Sequence, residues 1–221
     1  MHGQVIYNGI RECPKRYQAL KQVLQTLPIG FKALDIGASQ GYFSFRMAQD
    51  FKARCVMIED GYTITNFVWE TADYLKYLCE LNSKLKSLTI LKKRFFLEDF
   101  KLLSRFEKFD VVLAFSVIHH IRKSEDVPFD YFLDVIDEIL GLAPVVLIEN
   151  PINTGEHTFF IRNALLQKGG KVIYTSKRGT LIYEIYLFDR RKSLLSLSIP
   201  NITRQTYTIF NGVYTDVLFE D

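Results

Sequence analysis

The sequence predicts an α/β protein built on a doubly wound, mostly parallel sheet. Three observations carry this. Apolar runs of strand length alternate with segments of helical period along most of the 221 residues. Several runs, above all "FDVVLAFSVI" at 109–118, lack polar alternation and so suit strands buried on both faces. The first run, in "LDIGASQGYFS" (34–44), ends in a glycine turn that opens a helix.

The elements follow in order. Tyr17, Leu20, Val23, Leu24 and Leu27 recur at helical spacing from Lys15 to Leu27, and Pro28-Ile29-Gly30 stops that helix. "FKALDIG" is the first strand, 41–50 the next helix and "ARCVMIE" the second strand. Ile64, Phe67, Val68, Leu75, Leu78 and Leu81 mark an amphipathic helix over 62–81. "SLTIL" is the third strand and "FDVVLAFSVI" the fourth. Phe132, Val135, Ile136, Ile139 and Leu140 give a helix, and "PVVLIEN" the fifth strand. A helix around 158–167 precedes "KVIYTS" and "TLIYEIYLF", which bring the count to seven strands. The tail departs from this alternation. "TYTIFNGVYTDVLF" holds two β-prone runs joined by Asn211-Gly212, a pair suited to a two-residue hairpin turn because both positions need positive φ. The expected organisation is therefore a domain over 1–192 and a C-terminal β-hairpin extension over 193–221.

Composition narrows the function classes. A chain 48% hydrophobic and 24% charged reads as an ordinary globule, and a net charge of +3 is too small to argue for nucleic acid. Cys13, Cys55 and Cys79 have neither CxxC spacing nor a companion His cluster, so no metal is expected. Scattered, odd-numbered thiols suit a reducing cytosol. The opening "MHGQVIYNGIRE" has no apolar signal core, and no apolar run approaches membrane-spanning length, so a cytoplasmic location is expected.

The glycine turn restricts its ligand. A dinucleotide loop of the G-x-G-x-x-G kind wants glycine where Asp35 and Gln40 stand. Here Asp35, Gly37 and Gly41 form D-x-G-x-x-x-G, a loop one residue longer and opened by an acid. That suits a ligand with a cationic amino-acid head and no pyrophosphate. The second strand ends in Glu59, followed by Asp60, about twenty residues beyond the turn, where an acid can accept both ribose hydroxyls. Glu98 and Asp99 follow the third strand, where adenine contact and helix capping are equally good readings.

In this order and spacing, "ALDIGASQGYFS", "VMIED", "FLEDF" and "FDVVLAFSVIHHI" resemble the motifs of class I S-adenosylmethionine (SAM)-dependent methyltransferases, over about residues 15–188. The run "FLEDFKLLSRFEKFDVVLAFSVIHHI" is similar to the methyltransferase half of kinase–methyltransferases that terminate O-antigen polysaccharides. The resemblance implies a Rossmann-like methyltransferase fold and SAM as cofactor. Asp35 with Gly37, Ala38, Ser39, Gln40, Gly41 and Tyr42 would line its methionine part, and Arg16 and Tyr17 would hold its carboxylate. Glu59 would bind ribose, with Asp60 as a second acid beside it. Glu98 and Asp99 would lie near adenine, and Ser116 and Val117 would form the floor.

The acceptor is less legible. His119, His120 and His157 are candidate general bases, though a histidine pair after the fourth strand also serves to shape the cofactor floor. Arg162 is a candidate anion ligand, and Asn150-Pro151 either line the acceptor site or form a turn. The lack of a compelling base, with basic clusters at 92–94, 177–178 and 190–192, points to an acceptor that is already anionic. Relatives of the resembled group methylate a phosphate on a sugar chain, and a cousin group methylates RNA 5′-phosphates. A phosphorylated glycan is the expected partner, with RNA or a small molecule as alternatives. A SAM-binding partner module without turnover is the remaining reading. In the O-antigen relatives a kinase follows, but no Gly-rich phosphate loop or HRD-type sequence is present, and no kinase activity is expected.

Overall fold

A computed structural model describes residues 13–60, 71–82, 85, 87–118, 120, 129–152, 156–191, 203–209 and 213–219. Six helices and nine strands are defined among them: α1 (Cys13–Leu24), β1 (Lys32–Ile36), α2 (Tyr42–Phe51), β2 (Arg54–Glu59), α3 (Thr71–Leu81), β3 (Leu88–Lys92), α4 (Leu97–Phe106), β4 (Val111–Phe115), α5 (Phe129–Gly141), β5 (Val145–Ile152), α6 (Glu156–Gln167), β6 (Lys171–Arg178), β7 (Leu181–Asp189), β8 (Thr203–Ile209) and β9 (Val213–Phe219).

Seven strands form one sheet in the order β3-β2-β1-β4-β5-β7-β6. β1 to β5 pair in parallel, and β7 alone runs against its neighbours β5 and β6. The reversal follows from the connection. Gly179 (φ +60°) and Thr180 turn β6 straight back into β7, and a tight turn can join only antiparallel strands. The seven-stranded, mostly parallel sheet read from the sequence is thus present.

The side-chain period of two divides the strands between two layers. Ala33, Val111, Leu113, Val145, Leu147, Ile185 and Leu187 pack with Tyr17, Leu20 and Leu24 of α1 and Phe43 and Met47 of α2. Leu34, Ile36, Val112, Ala114, Val146, Ile148 and Tyr186 pack on the other face against Phe100, Phe132, Ile136 and Ile161. α3 extends the first layer, setting Leu75 and Leu78 against Phe45 and Met57.

Element ends moved by a few residues from the sequence reading. The first helix begins at Cys13 and ends at Leu24, with a turn through Leu27. α4 was implied only by its acidic start. The first half of the expected 62–81 helix, through residue 70, lies outside the described residues, as does the Asn211-Gly212 turn. β8 and β9 pair antiparallel, Thr203 with Phe219 through Ile209 with Val213, as a separate two-stranded sheet. Among the described residues no helix is long and apolar enough to cross a membrane.

Phe132 is fully buried in the α5 layer. Phe132→Ala is expected to lower unfolding free energy by about 3–5 kcal/mol, read from denaturant midpoints.

Candidate functional site

The strand order reverses direction between β1 and β4. In open α/β sheets a ligand binds outside the carboxyl ends of the strands at such a point. The glycine loop leaves β1 there. Gly37, Ser39 and Gly41 all have positive φ (+69°, +52°, +72°), so the chain coils tightly over the strand ends. Glycine is required at two of these positions for space as well as angle. A Cβ on Gly37 would stand 2.9 Å from Val117 Cγ2, and one on Gly41 2.6 Å from Leu75 Cδ1. The loop therefore lies directly on Val117, two residues beyond β4, and on α3.

Two acids hold this loop. Glu59, buried at the end of β2, accepts the Ser39 N–H at 2.6 Å, while the Gly37 and Ala38 amides reach the Ile58 carbonyl at 2.9 and 3.1 Å. Asp60, next in sequence, is exposed. Glu59 is thus the acid turned to the loop. Asp35 is 2% exposed and accepts the Ser44 hydroxyl at 2.7 Å. Burial pushes its carboxyl up to about 6, reinforced by the nearby Glu59 charge and opposed by the Ser44 bond and the Arg16 cation.

Arg16 reaches the same region from α1. Its guanidinium donates to Glu149 of β5 at 2.6 Å and lies 5.0 Å over the Phe43 ring and 5.4 Å over the Phe115 ring. Ser116, with φ +53°, donates its hydroxyl to the same Glu149 oxygen. Arg16 and Glu149 are both almost fully buried. The sequence reading overlooked Glu149. Its signal was present: a lone acid inside the apolar strand "VVLIEN" is costly to bury unless it is paired.

Other expected site residues have partners of their own. Tyr17 follows Arg16 by one residue and so projects about 100° away around α1. Its hydroxyl meets Asp50 at 3.2 Å, at the far end of α2, and not the glycine loop. Tyr42 packs edge-on against Tyr17 and Phe43. Asp99 accepts the Phe96 N–H at 3.0 Å and Lys93 at 2.5 Å, and the Lys93 bond holds its carboxyl below the usual range. Glu98 is highly exposed and pairs with Lys101 at 2.9 Å. Asp99 thus caps α4, while Glu98 forms a surface pair within it. Arg162 is not a ready anion ligand: it makes bonds of 3.0 and 3.4 Å to buried Glu184, which also accepts the Tyr186 hydroxyl.

His119 and the His157 side chain lie outside the described residues, and His120 is exposed. Asn150 is fully buried and donates to the Thr158 carbonyl at 3.2 Å. The basic clusters divide by edge. Lys92 ends β3 and Lys93 and Arg94 follow it, and Lys177 lies level with Ile152 through Ile182, so both clusters stand at the carboxyl edge. Arg190 and Arg191 follow β7, which runs the other way, and so stand at the opposite edge. A cavity of about 290 Å³ near them, lined by Asp137, Lys168, Phe188 and Arg190, is likewise remote from the glycine loop.

No protein-family model matches the chain, and no curated protein matches it. Solved structures do. The bifunctional kinase-methyltransferase WbdD superposes with a TM-score of 0.64 at 18% identity, over 84% of this chain and 41% of that one. The N-terminal domain of EvdMO1, with SAH bound, gives 0.57 at 12% identity, over 82% of each chain. A putative sarcosine dimethylglycine methyltransferase from Galdieria sulphuraria gives 0.55 at 12%, over 81% and 84%. The fold is that of the class I SAM-dependent methyltransferases. The chain spans less than half of WbdD, and at these identities the likeness is one of fold.

The local chemistry fits SAM. Buried Asp35 offers a negative charge to an ammonium, and the buried Gln40 Oε1 on the loop and the buried Arg16 Nε lack hydrogen-bond partners among the described residues.

Asp35 supplies a pH test. Its folded value is raised above that of the unfolded chain, so its favourable contribution is complete below about pH 4 and is lost as pH rises through about 6. Asp35→Asn is expected to be more stable than the parent at pH 7.5 by on the order of 3 kcal/mol. The gap should close by pH 4, in denaturant titrations at both pH values.

Proposed function

We propose that this protein transfers a methyl group from SAM to an anionic acceptor. The observation that carries the reading is the 2.6 Å bond from the Ser39 amide to Glu59, which joins the glycine loop to the acid ending the next strand, with Asp35 buried beneath. In this reading Asp35, the 37–41 loop and Arg16 hold the amino-acid head, Glu59 receives the ribose hydroxyls, and Ser116 and Val117 form the floor. When bound, SAM supplies a methyl already activated on a sulfonium.

The protein's task is then to align two ligands and exclude water, which can lower the barrier by ~7–11 kcal/mol. An acceptor oxygen that is already anionic needs no proton removed. Exposed Lys177 and Arg94, at the carboxyl edge, offer positive charge to such an acceptor. A phosphate, as on a phosphorylated glycan, is the acceptor class that best matches these features. The buried thiols of Cys13 and Cys55 suit work in a reducing, cytoplasmic setting. Among the described residues β8 and β9 hydrogen-bond as strands with each other and not with the main sheet, though β9 also lies near β6, which supports a division into a catalytic domain over 1–192 and an extension over 193–221 packed on it.

Calorimetry with SAM, S-adenosylhomocysteine and NAD tests the cofactor. Both sulfur ligands should bind and NAD should not; NAD binding without SAM binding sinks the reading. Methyl transfer from labelled SAM to phosphorylated glycans, absent if the chain is only a SAM-binding partner, tests turnover. A chain ending at Lys192 should keep the parent's denaturation midpoint and SAM affinity, and loss of either would make the hairpin part of the domain.

A further inference from the structure

Beyond the residues that would touch SAM, the buried junction at the switch point contains one acid that touches two of them. Glu149 lies inside the fully buried strand β5, opposite Phe115 of β4. Its Oε2 accepts Arg16 Nη2 at 2.6 Å and the Ser116 hydroxyl. Arg16 comes from α1 and Ser116 from the end of β4, so one carboxylate ties a helix on one layer to the floor of the loop. Both tied residues are constrained. Ser116 holds a positive φ, and the Arg16 guanidinium lies against both the Phe43 and Phe115 rings, which touch each other edge to face.

The binding of Arg16 is incomplete. A guanidinium offers five donors in a rigid fork. Nη2 is held by Glu149 and Nη1 meets the Cys13 Sγ at 3.9 Å, whereas Nε is buried and has no partner among the described residues. With the side chain about 5% exposed, water is a poor substitute. A buried donor left in this way is costly, and a ligand carboxylate satisfies it well.

We infer that Glu149 is a positioning residue: it grips Arg16 by Nη2 and aims the Nε–H at the carboxylate of an amino-acid-bearing ligand in the glycine-loop site. Glu149 does not touch the ligand. It acts through Arg16 and, by holding Ser116, keeps the floor at the height that Arg16 requires. The inference rests on the SAM reading above but concerns how its carboxylate is selected.

The test compares two ligands that share the adenosine and sulfur. S-adenosylhomocysteine has the carboxylate, and 5′-methylthioadenosine lacks the amino-acid end. Calorimetric affinities are measured for both with the parent, Glu149→Gln and Glu149→Asp. The Gln variant removes the charge that holds Arg16. The Asp variant keeps the charge, and so protects the fold, but withdraws the carboxylate by one methylene. Each variant is expected to bind S-adenosylhomocysteine about tenfold more weakly, the scale of one charge-assisted bond, while 5′-methylthioadenosine affinity stays within about twofold. Equal losses for both ligands, or the parent's preference retained in the folded Asp variant, would overturn the role of Glu149. If the parent itself binds neither ligand, the SAM reading fails instead.

Discussion

The central strands β1, β4 and β5 are buried on both faces, so an ionisable side chain on them must stand near an end or hold a partner. Every polar feature of the candidate site obeys this constraint. Asp35 sits one residue from the end of β1 and holds Ser44. Glu59 ends β2 and holds the loop amide. Glu149, inside β5, holds Arg16 and Ser116. Burial thus drives the charged groups to one edge of the sheet, and there it pairs them. Because a parallel sheet gathers its carboxyl ends on one side, the groups meet where the strand order reverses.

The same constraint gives these contacts asymmetric energetics. A buried ion pair such as Arg16–Glu149 adds little net stability over a well-packed apolar pair, yet removing one partner costs about 3–5 kcal/mol because the other charge is stranded. Asp35 carries an explicit penalty, with its carboxyl raised by burial. Such groups are poor investments for folding alone. A site that must present charge to a ligand is the setting in which they make sense.

The surface charges follow another logic. Lys93, Lys101, Lys168 and Arg191 each pair with a nearby acid in partly exposed positions. Pairs of this kind contribute little, and their count says nothing about function. What matters is the edge on which a cation stands. Residues 92–94 and Lys177 share the carboxyl edge with the glycine loop, whereas Arg190 and Arg191 do not.

Much was readable from local pattern. Two-sided burial writes itself as unbroken apolar runs, and the turn chemistry of D-x-G-x-x-x-G is local, so the seven strands, the loop and the Glu59 position followed from the chain by itself. The two uses open to Asp99 also followed, since a helix start is a local signal. What the tertiary structure decided was which neighbours meet. Arg16 and Tyr17 are adjacent in sequence, but the helix sends one to Glu149 and the other to Asp50. Arg162 looked available until β7 brought Glu184 beside it. The antiparallel β7 also carried one basic cluster to the wrong edge. Each of these outcomes depends on contacts between residues far apart in the chain, such as the 133 positions from Arg16 to Glu149, and no local periodicity encodes such a pairing.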